Sequence, residues 1–84
     1  MHNFKTTGRL TRDAKLFKNE DGSKPRLLFT AAHNEAGANG FERTDFYDCI
    51  LWGDRATKMA KWMLKGRLIE IEGYLETRPI RKDD

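Results

Sequence analysis

Two strictly alternating runs flank one short helical run, and this pattern restricts the chain more than any other feature. From Thr44 to Trp52 the period is two. Phe46, Asp48, Ile50 and Trp52 fall on one face of a strand, and Tyr47, Cys49 and Leu51 on the other. From Arg67 to Arg78 the alternation returns, with Ile69, Ile71, Gly73 and Leu75 facing one way and Glu70, Glu72, Tyr74 and Glu76 the other. Between these runs Asp54 reads as an N-cap. Ala56, Met59, Ala60 and Met63 follow at i, i+3, i+4 and i+7, and Gly66 closes a helix of about three turns. Pro79 cannot donate to a ladder, so pairing is expected to stop or reach an edge there.

The first half reads as short extended pieces. Asn3 to Leu10 is expected to be a strand that bends or admits a close neighbour at Gly8. Ala14 to Lys18 leads into Asn19-Glu20-Asp21-Gly22-Ser23, where Asp-Gly supplies the positive φ of a tight hairpin turn. Residues 26–33 put Leu27, Phe29 and Ala31 on one side and Leu28, Thr30 and Ala32 on the other, the pattern of a central strand covered on both faces. Residues 35–43 contain Gly37, Asn39 and Gly40 without a period and read as an exposed loop.

Three main strands, a single helix and a further strand make an all-β chain. That order fits a small Greek-key barrel of OB type with its helix between the third and fourth main strands, plugging the barrel end. A ferredoxin-like domain needs a helix after the first strand, and residues 11–25 do not contain one. Eighty-four residues have room for one core, so a single domain spanning 1–84 is expected. Apolar residues are 38% of the chain, and no run approaches the roughly 18 that a membrane span needs. Cys49 is the only cysteine, which excludes an internal disulfide framework and a cysteine-based zinc site. His2 and His33 have no partner cluster, so no metal or other cofactor is expected. The opening residues lack the apolar core of a signal peptide, and the expected compartment is a reducing cytoplasm.

The net charge of +3 is modest, but its distribution is uneven: residues 1–26 carry +4, residues 27–54 carry −4, and residues 55–84 carry +3. Basic ends around an acidic middle permit a polyanionic partner if the fold brings those ends together. Phe46 and Trp52 lie six residues apart on one strand face, roughly 20 Å by strand rise. Aromatic residues in strands are more often core than binding platform, and Phe4, Phe17 and Phe29 are assigned to the core on that ground.

Several segments together resemble the single-stranded DNA-binding proteins of bacteria, phages and plasmids. Gly8-Arg9-Leu10-Thr11-Arg12-Asp13 is similar to that family's G-x-L-x-x-D opening, and Leu28-Phe29-Thr30-Ala31-Ala32 to its second strand. Thr44-Asp45-Phe46 with Ile50-Leu51-Trp52-Gly53, then Lys65-Gly66 and Ile71-Glu72-Gly73-Tyr74-Leu75-Glu76-Thr77-Arg78, follow in the family's order and near its spacing. The resemblance implies that Phe46 and Trp52 stack on bases. It also implies that Arg9, Arg12 and Arg78 neutralise phosphates. Tyr74 suits a base stack or a subunit interface equally. Trp62 sits where the family has a packing aromatic of the helix, and Lys58, Lys61 and Lys65 read as a solvated helix face.

The chain also departs from the family pattern. Asp48 stands where a basic residue is usual, and the loop at 35–43 lacks the family's tryptophan, with Phe41 the nearest substitute. Pro79-Ile80 follows the Thr-Arg pair where the family has an aromatic. The few residues after it lead to the expectation of a barrel without the family's closing strand and acidic tail, either a shortened form or an open edge covered by another subunit. The expected function is non-catalytic coating of single-stranded DNA in replication, recombination or repair, in a nucleoid-associated, cytoplasmic homo-oligomer, dimer or tetramer, that also meets replication or repair proteins. The alternative is an OB module acting through partner subunits, which Asp48 and the acidic middle favour. An enzyme has no nucleophile–base set, metal cluster or phosphate loop to support it.

Overall fold

The computed structural model describes residues 2–37 and 40–76. Five strands, β1 (His2–Leu10), β2 (Lys15–Phe17), β3 (Arg26–Ala36), β4 (Glu42–Trp52) and β5 (Leu68–Leu75), form one antiparallel sheet. Helix α1 (Asp54–Met59) and a 3-10 turn (Ala60–Trp62) lie between β4 and β5. With the short β2 set aside, the helix falls between the third and fourth main strands, as expected of the OB type.

β3 is the central strand. One of its edges pairs with β4 along the whole length, from Arg26 opposite Trp52 to Ala36 opposite Glu42. Its other edge is shared, with Lys15–Phe17 against Arg26–Leu28 and Arg9–Leu10 against Ala31–Ala32. β1 then continues onto β5, from His2 opposite Leu75 to Arg9 opposite Leu68. β1 thus lies between β3 and β5, and Gly8 lets it approach β3 closely. A Cβ there would lie 3.0 Å from the Ala32 carbonyl oxygen and 3.2 Å from the Ala31 Cβ, so a side chain would push β1 off β3.

Leu10, Leu27, Ala56 and Met63 form the buried centre, with Leu16, Phe29, Leu51 and Ile69 packed partly buried around it. α1 and the following turn supply Ala56 and Met63 and close one end of the curled sheet. Segment 10–14 is stitched to segment 63–67. Ala14 N–H donates to Met63 O (2.9 Å), Gly66 N–H to Leu10 O (2.7 Å), and Lys65 N–H to Asp13 Oδ1 (2.8 Å). The aspartate of the opening motif therefore holds the backbone that leads into β5.

Several local expectations are corrected. The N-cap of α1 is Gly53, at φ 84°, a backbone state that disfavours other residues; Asp54 is the first helical residue and makes no side-chain cap. The α-helical part is six residues long, and Met59 is exposed. Gly66 does have positive φ, but it lies in the turn entering β5, after the 3-10 segment. β3 and β4 extend through Ala36 and from Glu42, so much of the expected loop is ladder. Gly22 has positive φ inside an eight-residue β2–β3 connection in place of a two-residue turn; Asp21 Oδ1 accepts from Ser23 N–H there (2.9 Å), which lowers the Asp21 carboxyl pKa. Phe17 is 39% exposed and is not core.

Candidate functional site

The site begins with the alternation of β4. Its inward residues Tyr47, Cys49 and Leu51 are half-buried, and Tyr47 meets Phe4 with ring centroids 4.8 Å apart. Its outward residues are open: Phe46 is 66% and Trp52 54% exposed, with Ile50 exposed between them. Rings of this size remain in water at a cost, since each keeps apolar surface that burial would stabilise.

The register builds a face around them, because residues opposite one another in a ladder share a side of the sheet. Trp52 faces Arg26, which faces Phe17, and the Arg26 guanidinium lies 5.3 Å from the Phe17 ring centroid. This row is therefore ring, cation, ring. Ile50, Leu28 and Lys15 form the next row, followed by Asp48 opposite Thr30. Phe46, Ala32 and Arg9 make the row beyond, in which the small Ala32 leaves the Phe46 ring uncovered.

An open cleft of about 1350 Å³ adjoins this face and reaches across to β5. It brings together Phe46, Trp52, Arg12 and Tyr74, four of the six residues expected at a site. Arg9 is not among its lining; its Nη1 donates to the Gly66 carbonyl (3.1 Å), toward the chain entering β5. Arg78 lies outside the described residues. Tyr74 is 71% exposed.

Charge divides the cleft. Lys15, one row from Trp52, and Arg55, three residues beyond it, line the cleft together with Arg12, whereas Glu70, Glu72 and Glu76 line the β5 wall. Glu70 is bridged by Lys5 at 3.1 Å, and its hydrogen bond and charge, with Glu72 adding to them, raise the Lys5 pKa. Asp48 sits between Phe46 and Trp52, and its Oδ1 accepts from the Thr30 hydroxyl at 2.7 Å. Burial, reinforced by the Asp48 charge, raises the Cys49 thiol above its ordinary 9.0. Among the described residues no three His, Cys, Asp or Glu side chains come together as a metal site, and no helix is long and apolar enough to cross a membrane.

Sequence reasoning missed Phe17, Lys15, Arg26 and Arg55. The signal for Phe17 was present, since Leu16 points inward and its neighbour on a strand must then point out. Trp62, expected to pack, is 52% exposed, with Lys61 Nζ 5.2 Å and Arg67 Cζ 6.0 Å from its ring.

This geometry can hold flat, anionic, unpaired polymers: separated open rings on one face, with cations beside them. The chain matches the model of the Single-strand binding protein family over residues 1–84. Single-stranded DNA-binding protein 1 of Lactococcus lactis subsp. lactis (strain IL1403) is 34% identical over 79 residues, covering 93% of this chain and 53% of that protein. Single-stranded DNA-binding protein 2 of Streptococcus agalactiae serotype V (strain ATCC BAA-611 / 2603 V/R) is 36% identical over 77 residues, covering 90% and 59%. The protein of that name from Streptococcus pyogenes serotype M18 (strain MGAS8232) is 35% identical over 80 residues, covering 93% and 48%. The chain spans about half the length of the curated relatives it matches.

Proposed function

The chain belongs to the single-strand binding protein family, and from that premise we propose that it binds single-stranded DNA without catalysing a reaction. Phe46 and Trp52 stack on bases, Lys15, Arg26 and Arg55 neutralise phosphates near Trp52, and Arg12 does so elsewhere along the cleft. Stacking on an aromatic ring tolerates any base, because every base has a π-face, so the binding is largely independent of sequence. The observation that carries this reading is the exposure of Phe46 and Trp52 on one face of β4. Arg9, held by Gly66, is a weaker phosphate contact than Arg12, and Tyr74 adds a ring on the far wall. Arg78 is proposed as a phosphate contact on the family resemblance alone.

The same reading places the protein in the cytoplasm, at replication, recombination or repair, as a homo-oligomer in contact with proteins of those processes. The experiment is a titration of tryptophan fluorescence with a mixed-sequence oligodeoxynucleotide at several salt concentrations. Quenching is expected, with log affinity falling against log salt at a slope of roughly −0.7 for each phosphate neutralised. Absence of both quenching and salt dependence overturns the proposal. The second reading, a module that works through partner subunits, is favoured by the unpaired outer edges of β4 and β5 among the described residues and by the acidic β5 wall. A stable heteromer in native mass spectrometry without DNA would support it.

A further inference from the structure

We propose that Asp48 makes the stacking face selective among bases, favouring those that carry an exocyclic amino group, cytosine and guanine above all, over thymine. This rests on the reading of the face as a binder of single-stranded DNA. Asp48 points outward on β4 between Phe46 and Trp52, roughly 7 Å along the strand from the first and 13 Å from the second. Asp48 is one of the two same-face neighbours of Phe46 on β4, Thr44 being the other, so a base stacked on Phe46 can turn an edge toward the carboxylate.

The carboxylate is aimed. Thr30, directly opposite on β3, donates its hydroxyl to Oδ1 at 2.7 Å, which fixes the group and leaves Oδ2 to accept from a ligand. An ionised carboxylate is acceptor-only. Cytosine offers it the N4 amino group, and guanine offers N1–H and the N2 amino group side by side, a bidentate match. Thymine presents one N3–H between two carbonyl oxygens, so either oxygen that turns toward Asp48 is repelled. The charge also repels phosphate, so the residue lowers affinity for every strand while sparing amino-bearing bases part of that loss. Ring stacking supplies the general affinity, and Asp48 sets the ranking.

The test compares oligodeoxycytidylate with oligodeoxyuridylate of equal length, by tryptophan quenching at neutral pH and fixed salt. These pyrimidines lack the thymine methyl group and differ at ring position 4 and in the protonation of N3. Cytosine is expected to bind about fivefold or more tightly, the low end for a good base-edge pairing. In Asp48→Asn both oligomers should bind more tightly and the ratio should fall toward one, because an amide can serve either base. Thr30→Val should lower the ratio and Thr30→Ser should restore it, an outcome that a merely structural role of Thr30 does not produce. Equal binding of the two oligomers with clear quenching and salt dependence overturns the base preference and leaves the single-strand reading standing. Absence of quenching with either oligomer removes that reading as well. A cytosine preference that persists in Asp48→Asn overturns the role of Asp48.

Discussion

Trp52 shows at the scale of a residue how little of the site depends on composition. Its exposure follows from parity: Leu51 packs on the core, so its neighbour cannot. Truncation removes a stacking surface without leaving a cavity. Trp52→Ala is therefore expected to weaken oligonucleotide binding by about 1–3 kcal/mol while the thermal midpoint stays nearly unchanged, as read by titration and melting of the same sample. Cys49 provides the opposite case on the inward side. Its thiol pKa is raised in the folded state, so the fold favours the protonated form. That contribution is fully present below the unfolded value near 9.0 and is lost as pH rises through the folded value. The midpoint should drop as the solution is taken above about pH 9, and Cys49→Ala should remove that component of the drop. The period of 44–52 made both roles legible from sequence. Trp62 was misplaced because a ring is expected inside unless something marks its direction, and only the observed packing supplies that mark; for Phe17 the mark was the inward Leu16 beside it.

At the scale of an element, β1 carries the least obvious constraint. Few of its residues are apolar, yet it joins β3 to β5 and must cross close to the Ala32 backbone at Gly8. In Gly8→Ala the new methyl group meets a carbonyl oxygen that belongs to a ladder and has little room to yield. Overpacking of this kind costs about 1–3 kcal/mol, and a lower urea midpoint with an unchanged slope is the expected result. The glycine itself was legible as a place of close approach; what approached it was not, because register between distant strands leaves no local trace. The ends of β3 and β4 were missed for a related reason. Asn34 and Glu35 are poor strand formers, and they stay extended because they pair with Thr44 and Arg43 across the ladder. Thr44 Oγ1 donates to Asn34 Oδ1 at 2.7 Å, and Arg43 bridges Glu35 at 3.2 Å. The helix was found from its period, but its length was overstated because the spacing of Ala56, Ala60 and Met63 is also met by a short α-turn that tightens into 3-10.

Across the whole molecule, the order of elements was enough to reach the OB type, since a lone helix before the last strand fits few small sheets. Charge by segment was less informative. The basic first segment does reach the Trp52 end through Lys15 and Arg26 and the cleft through Arg12, and the third segment adds Arg55, but it also lays Glu70, Glu72 and Glu76 along the opposite wall. The contrast between the two walls exists only once the sheet has curled. The seam between β1 and β5 has a temporal meaning. The strand nearest the start of the chain finds most of its ladder partners on the strand nearest the end, from His2 with Leu75 to Arg9 with Leu68. Loop closure on that span must come before its contacts can repay it, which places folding of this unit on the slow, millisecond-to-second side. During synthesis, β1 waits until β5 has been made before most of its residues find their ladder partners.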